Sequence, residues 1–180
     1  MTRLLRIMIA LSFAVAMLWP EWPRWQAEHD LAGLGRQLDD VLTGRVRGDA
    51  ALAQVRSVQV NATKAHNVSP NDPRAVLYVG VSSLLLGDTD QARQALESAL
   101  IHGERPEHLL NYGRVCSALG DEVSARQAFR RVLWAAPAAA SSLPASLRAE
   151  LQRDLDEFES ELRDGRAEAP LPLPASLPHR

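Results

Sequence analysis

Five histidines, one cysteine and a run of carboxylates are the residues of this chain best suited to chemistry, and their spacing gives them little to work with. His29, His66, His102, His108 and His179 include no pair four apart, the spacing that would aim two imidazoles from one helix at a metal ion. His102 and His108 fall around an interhelix loop with no cysteine partner nearby, and read as exposed loop histidines. Cys116 stands alone, which excludes an intramolecular disulfide and a cysteine-based zinc site. Asp154, Asp156, Glu157 and Glu161 occupy the polar side of an amphipathic segment and read as a solvated face, because no pocket is implied around them. A serine or cysteine nucleophile motif is missing, as is a glycine-rich phosphate loop. Catalysis, a cofactor, a metal and a small-molecule substrate are therefore not expected. Asn61-Ala62-Thr63 and Asn67-Val68-Ser69 are sequons that matter only in a glycosylating pathway.

The elements behind those residues belong to a chain of 180 residues, long enough for one domain with a sizeable core. A net charge of -2 offers no basic face for phosphates, so nucleic acid is not an expected partner. Lys64 is the single lysine among 20 basic residues, a bias that reads as GC-rich bacterial coding rather than as a binding signature.

At the front, Arg3 and Arg6 precede an apolar run from Ile7 to Trp19, and acidic residues are absent until Glu21. As a helix, that run reaches roughly 20 Å, short of a hydrocarbon core. Leu4 and Leu5 lengthen it if Arg6 snorkels to the headgroups. The expectation is a membrane anchor over residues 4–19 within an N-terminal segment 1–19, with the arginines holding the N-terminus in the cytoplasm. Trp19, Trp22 and Trp25 would then sit at the outer membrane interface, where an apolar ring with a polar N–H is at home. Pro20 and Pro23 are expected to break the helix, making residues 20–28 an extended interfacial stalk. The same residues support a rival: Ala14-Val15-Ala16 is a cleavage pattern, and cutting after Ala16 would release the rest of the chain. Both readings export it.

The middle of the chain repeats itself at one fixed offset, the shift that carries Pro73 onto Pro106. Under that shift Leu77 meets Leu110, Gly80 meets Gly113, and Leu86-Gly87-Asp88 meets Leu119-Gly120-Asp121. Ala92 to Ala95 and Ala125 to Ala128 both read ARQA. Each copy predicts two helices around a turn. The prolines suit a first helical turn, Gly87 and Gly120 end the first helix, and Asp88 and Asp121 cap the second. Gly80 and Gly113 fall mid-helix, where glycine costs about 1 kcal/mol against alanine, so a close neighbour is implied. Ala92 and Ala125 are the expected matching surfaces. Residues 29–70 read as a degenerate helix pair upstream. Downstream, residues 138–165 hold a linker and a capping helix striped by Leu143, Leu147, Leu151, Leu155, Phe158 and Leu162. Glu159 and Arg163 stand in the favoured i, i+4 order. Residues 166–180 form a proline-rich tail expected to be extended and disordered.

The two copies, residues 71–137, resemble the tetratricopeptide repeat, a two-helix hairpin. The second copy carries the resemblance through Leu109, Tyr112-Gly113, Cys116, Ala125, Phe129 and Pro137. The first carries Val76, Val79-Gly80, Ser83, Ala92 and Leu96, but Glu104 stands where a closing proline is expected. The resemblance implies an all-α solenoid of helical hairpins, and makes Cys116 a buried small hydrophobe. It also implies a partner-binding groove lined by the first helix of each copy: Arg74, Leu77, Val81 and Leu84, then Glu107, Leu110, Asn111 and Arg114. The Asn111 amide would hold a ligand backbone.

The function expected is that of a non-enzymatic, single-pass scaffold at the bacterial inner membrane, its repeat domain in the periplasm. There it would bind another protein during assembly or maturation of an envelope complex. A soluble periplasmic chaperone or adaptor, freed by cleavage, is the first alternative. An envelope hydrolase or lectin on a helical solenoid is the second, and it would need a polar, aromatic-lined groove.

Overall fold

The structure, a computed structural model, describes residues 22–168 together with the single positions Met8, Phe13, Met17 and Trp19. Among the described residues there are seven α-helices and no strand, so the fold is all-α. The chain divides into two compact units, residues 1–75 and 76–180.

The first unit holds helix α1 (Trp22–Leu42) and helix α2 (Gly48–Val68). Ala27, Leu31, Leu34 and Leu38 recur at three or four residues and are buried, as are Val55, Val58, Ala62 and Ala65 of α2. These two stripes pack together as a hairpin. The Gln54 side chain adds a cross-link, donating 2.8 Å to the Gln37 carbonyl. Between the helices, Gly44 adopts φ +71°, and Arg45 ties the turn back to Asp39 and to Asp40, the latter at 2.7 Å.

Helix α1 corrects the extended stalk expected over residues 20–28: the chain is already helical from Trp22. Pro23 is the second residue of the helix, where the amide it lacks would have no intrahelical partner and its fixed φ suits the turn. The anchor or signal segment expected over residues 1–19 lies outside the described residues, apart from four placed side chains. Those four, Met8, Phe13, Met17 and Trp19, are exposed. No described helix is long and apolar enough to cross a membrane. Of the proline-rich tail, residues 169–180 also lie outside the described residues.

The two units divide within helix α3 (Pro73–Leu85), just after Ala75. The second unit continues with α4 (Thr89–Ile101), α5 (Pro106–Ala118) and α6 (Glu122–Ala135). A 3₁₀ turn at Ala139–Ser142 then leads to α7 (Ala145–Arg163). The offset seen in the sequence reappears as burial. Val76 and Leu109, Val79 and Tyr112, Ser82 and Val115, Ser83 and Cys116 are all buried. So are Ala92 and Ala125, Leu96 and Phe129, Ala99 and Val132, Leu100 and Leu133.

The helix ends repeat as well. Gly87 (φ +82°) and Gly120 (φ +78°) turn the chain, and the amides of Asp88 and Asp121 reach back 2.9 Å to the carbonyls of Ser83 and Cys116. Each aspartate then accepts, at 3.1 Å, the amide three residues on, from Gln91 or Ser124. The mid-helix glycines do have a packing reason, and the nearest side chains to them are larger than the alanines expected. A Cβ at Gly80 would come within 2.7 Å of Leu96, and one at Gly113 within 2.4 Å of Phe129. Ala92 and Ala125 lie one turn earlier, so the close approach is filled by the next large side chain on the same helix face.

In α7, Leu151 and Leu155 are buried, with Leu143 just before the helix, while Leu147 packs against the same cluster part-exposed. The linker before it is more structured than its composition suggests, since Ala140 within the 3₁₀ turn is fully buried. Arg163 donates to the backbone carbonyl of Glu159 at 3.3 Å rather than to its carboxylate. Glu104, which breaks the repeat pattern, forms an ion pair with Arg131, a guanidinium only 8% exposed. A buried cation needs a counter-charge, and proline at that position would remove this carboxylate.

Candidate partner-binding groove

Of the eight side chains expected to line a groove, seven belong to the second unit and Arg74 to the first. Arg74 is already engaged: its guanidinium donates 2.7 Å to Glu28 and 2.7 Å to Asp72, which also caps α3 by accepting the Arg74 amide at 2.9 Å. Those bonds hold the Asp72 carboxyl below the usual carboxylate range and the Arg74 guanidinium above its ordinary value. Val81 is buried, at 8% exposure, and presents little surface. Leu77, Leu84 and Leu110 lie against one apolar cluster with part of each side chain open. Glu107 is exposed, and Asn111 and Arg114 are half-buried.

Asn111 does not stand with its amide idle. Its Nδ2 donates 2.8 Å to the Glu107 carbonyl one turn back, and its Oδ1 accepts from Arg114 Nη1 at 3.2 Å. Arg114 Nη2 donates to the Ser142 hydroxyl at 3.0 Å, and that hydroxyl donates to the Ala139 carbonyl at 3.3 Å. Burial pulls the Arg114 pKa below its ordinary value. The α5 helix thus carries a guanidinium whose plane is fixed by one amide and one hydroxyl, both neutral.

The histidines and the cysteine fall differently from one another. His102 is exposed at the end of α4, but His108 is inside α5 and 1% exposed, which corrects its assignment to a loop. The repeat offset puts His108 at the position of Ala75, itself fully buried, so the register held the signal. Cys116 is fully buried, and that burial pushes its thiol up in pKa beside Tyr112. Among the described residues no group of three or more histidine, cysteine, aspartate or glutamate side chains is placed to hold a metal.

Two further surface features stand apart from the groove. Trp22 stacks on Trp25 at 5.3 Å and Trp25 on His29 at 5.7 Å, all three exposed along the first two turns of α1. In the second unit, Val123, Arg126, Gln127 and Arg130 of α6 and Asp154 of α7 line a cleft of about 420 Å³. Sequence reasoning did not find this cleft, because it forms where the capping helix meets α6. Of the carboxylates read as a solvated face, Asp154 is paired here: Arg126 bridges it at 2.9 Å and Glu150 at 3.0 Å. Arg130 lies over the Phe158 ring, 5.2 Å from its centre, and Trp134 meets that ring edge-on.

No family model matches the chain, and no curated protein matches it.

Proposed function

We propose that this chain is a non-enzymatic scaffold of the tetratricopeptide type, tethered to a bacterial inner membrane, whose repeat domain binds another envelope protein. The observation that carries the reading is the twice-repeated helix hairpin, with the same caps, a shared set of buried positions and the same glycine contact in both copies. A stack of such hairpins stabilises itself through neighbouring repeats and leaves the face of its first helices free for a partner. Leu77, Leu84 and Leu110 supply apolar contact on that face, and Glu107, Asn111 and Arg114 supply polarity. The tether comes from residues 4–19, with Trp19, Trp22 and Trp25 at the outer interface. It raises the effective concentration of the groove near membrane-bound partners, so a modest intrinsic affinity suffices.

Pull-down from solubilised membranes tests the scaffold. Envelope proteins are expected to be recovered with the wild type and lost with Leu110→Asp, and recovery of none above background would count against it. The Ala14-Val15-Ala16 pattern favours one second reading, a soluble periplasmic adaptor. N-terminal sequencing separates the two: an intact Met1 supports the tether, and a start at Met17 supports release.

A further inference from the structure

Buried and half-buried guanidinium groups in the second unit divide into those that meet a carboxylate and those, Arg114, Arg130 and Arg148, that form no ion pair among the described residues. Arg93 pairs with Glu97 at 2.9 Å, and Arg131 pairs with Glu104. Arg114, half-buried on α5, has no carboxylate within ion-pair distance among the described residues. Its hydrogen-bond partners are the neutral Asn111 Oδ1 and Ser142 Oγ. The repeat sets Arg114 apart from the other two, because the preceding copy buries Val81 at the equivalent position. Hydrocarbon would satisfy the packing there. A guanidinium held in a fixed plane, partly desolvated and without a counter-charge, is costly to the fold alone and matches a carboxylate supplied from outside.

The surroundings point the same way. Ser142 closes the 3₁₀ turn that leads into α7, and the first turn of α7 carries no acidic residue and no side-chain cap. The free amides of that turn therefore leave positive potential unopposed. Arg148, also in the first turn, is a second half-buried guanidinium, and its Nε is buried with no hydrogen-bond partner.

We infer that Arg114, oriented by Asn111 and Ser142, anchors an aspartate or glutamate side chain from an acidic segment of the partner protein. This rests on the groove proposed above and names the chemistry that fills it. Asn111 and Ser142 are positioning residues: they set the plane of the fork so that a carboxylate can take the outward-facing N–H groups.

The probe is a hexaglutamate peptide acetylated at its N-terminus and amidated at its C-terminus, titrated into the full-length detergent-solubilised protein. The Arg114 side-chain N–H resonances are followed by NMR alongside the affinity. Arg114→Val, which copies Val81, is expected to keep the helical content and weaken binding at least tenfold. Asn111→Ala is expected to weaken it several-fold and broaden the Arg114 signals, which a purely structural role would leave unchanged. Arg56→Gln, an exposed arginine in α2, serves as the control for general charge and should change nothing. Equal affinity of wild type and Arg114→Val would overturn the inference, as would binding that requires the free C-terminal carboxylate of a non-amidated peptide. The envelope pull-down with Leu110→Asp separates this failure from failure of the scaffold. If Leu110→Asp loses the partner while Arg114→Val binds hexaglutamate normally, the groove stands and its proposed ligand does not.

Discussion

At Gly113 a single hydrogen decides the packing. Phe129 is 5% exposed and its ring would meet a Cβ at Gly113 at 2.4 Å, so the ring must shift in a site that is already full. Gly113→Ala gains about 1 kcal/mol of helix propensity and loses about 1–3 kcal/mol to overpacking. Chemical denaturation should show a net loss. Adding Phe129→Leu, which imitates Leu96 in the other copy, should recover part of it, and a double-mutant cycle should give a coupling of at least about 0.5 kcal/mol. Strict additivity would mean that the glycine is there for another reason. A different residue-scale effect belongs to Asp121. Hydrogen bonds from Ser124, through its side chain and its amide, hold the Asp121 carboxyl below the usual range. The stabilisation from that shift is fully present above the ordinary carboxylate value of about 4, and is lost as pH falls through the lower folded value. Asp121→Asn keeps an acceptor without a titrating charge, so the acid side of its stability profile should be flatter than that of the wild type.

At the scale of the element, the helices are built from local devices that a sequence displays openly. Asp88 and Asp121 cap α4 and α6 with the same geometry, and replacing either by alanine should cost about 1 kcal/mol. The two substitutions should be similar in size, which thermal melts of the single variants can check. The capped turns, the glycines after α3 and α5 and the prolines that open both helices were legible because each acts within a few residues. The start of α1 was not, since Pro23 is a breaker inside a helix and harmless in a first turn, and the pattern of tryptophans did not say which applied. The capping helix was legible as a stripe. Its neighbours were not, and so neither was the cleft it makes with α6.

At the scale of the molecule, Cys116 is a built-in reporter. It is the single cysteine, it is fully buried, and burial raises its thiol pKa. A thiol reagent should therefore fail to label the native protein at neutral pH. Labelling should appear in denaturant with the same midpoint as the loss of far-ultraviolet circular dichroism. Rapid labelling without denaturant would show that the core around α5 opens on its own. The sequence by itself determined the all-α character, the hairpin period and the ends of the repeat helices, because caps, turns and apolar periodicity are short-range chemistry. Only the tertiary structure decided what each side chain meets. It made Leu96 and Phe129 the nearest side chains to the mid-helix glycines, and it buried His108. It gave Arg131 the carboxylate of Glu104 and left Arg114 among neutral partners. A charge on one helix finds its counter-charge on another segment of the fold, and no spacing within the helix reveals whether that partner arrives.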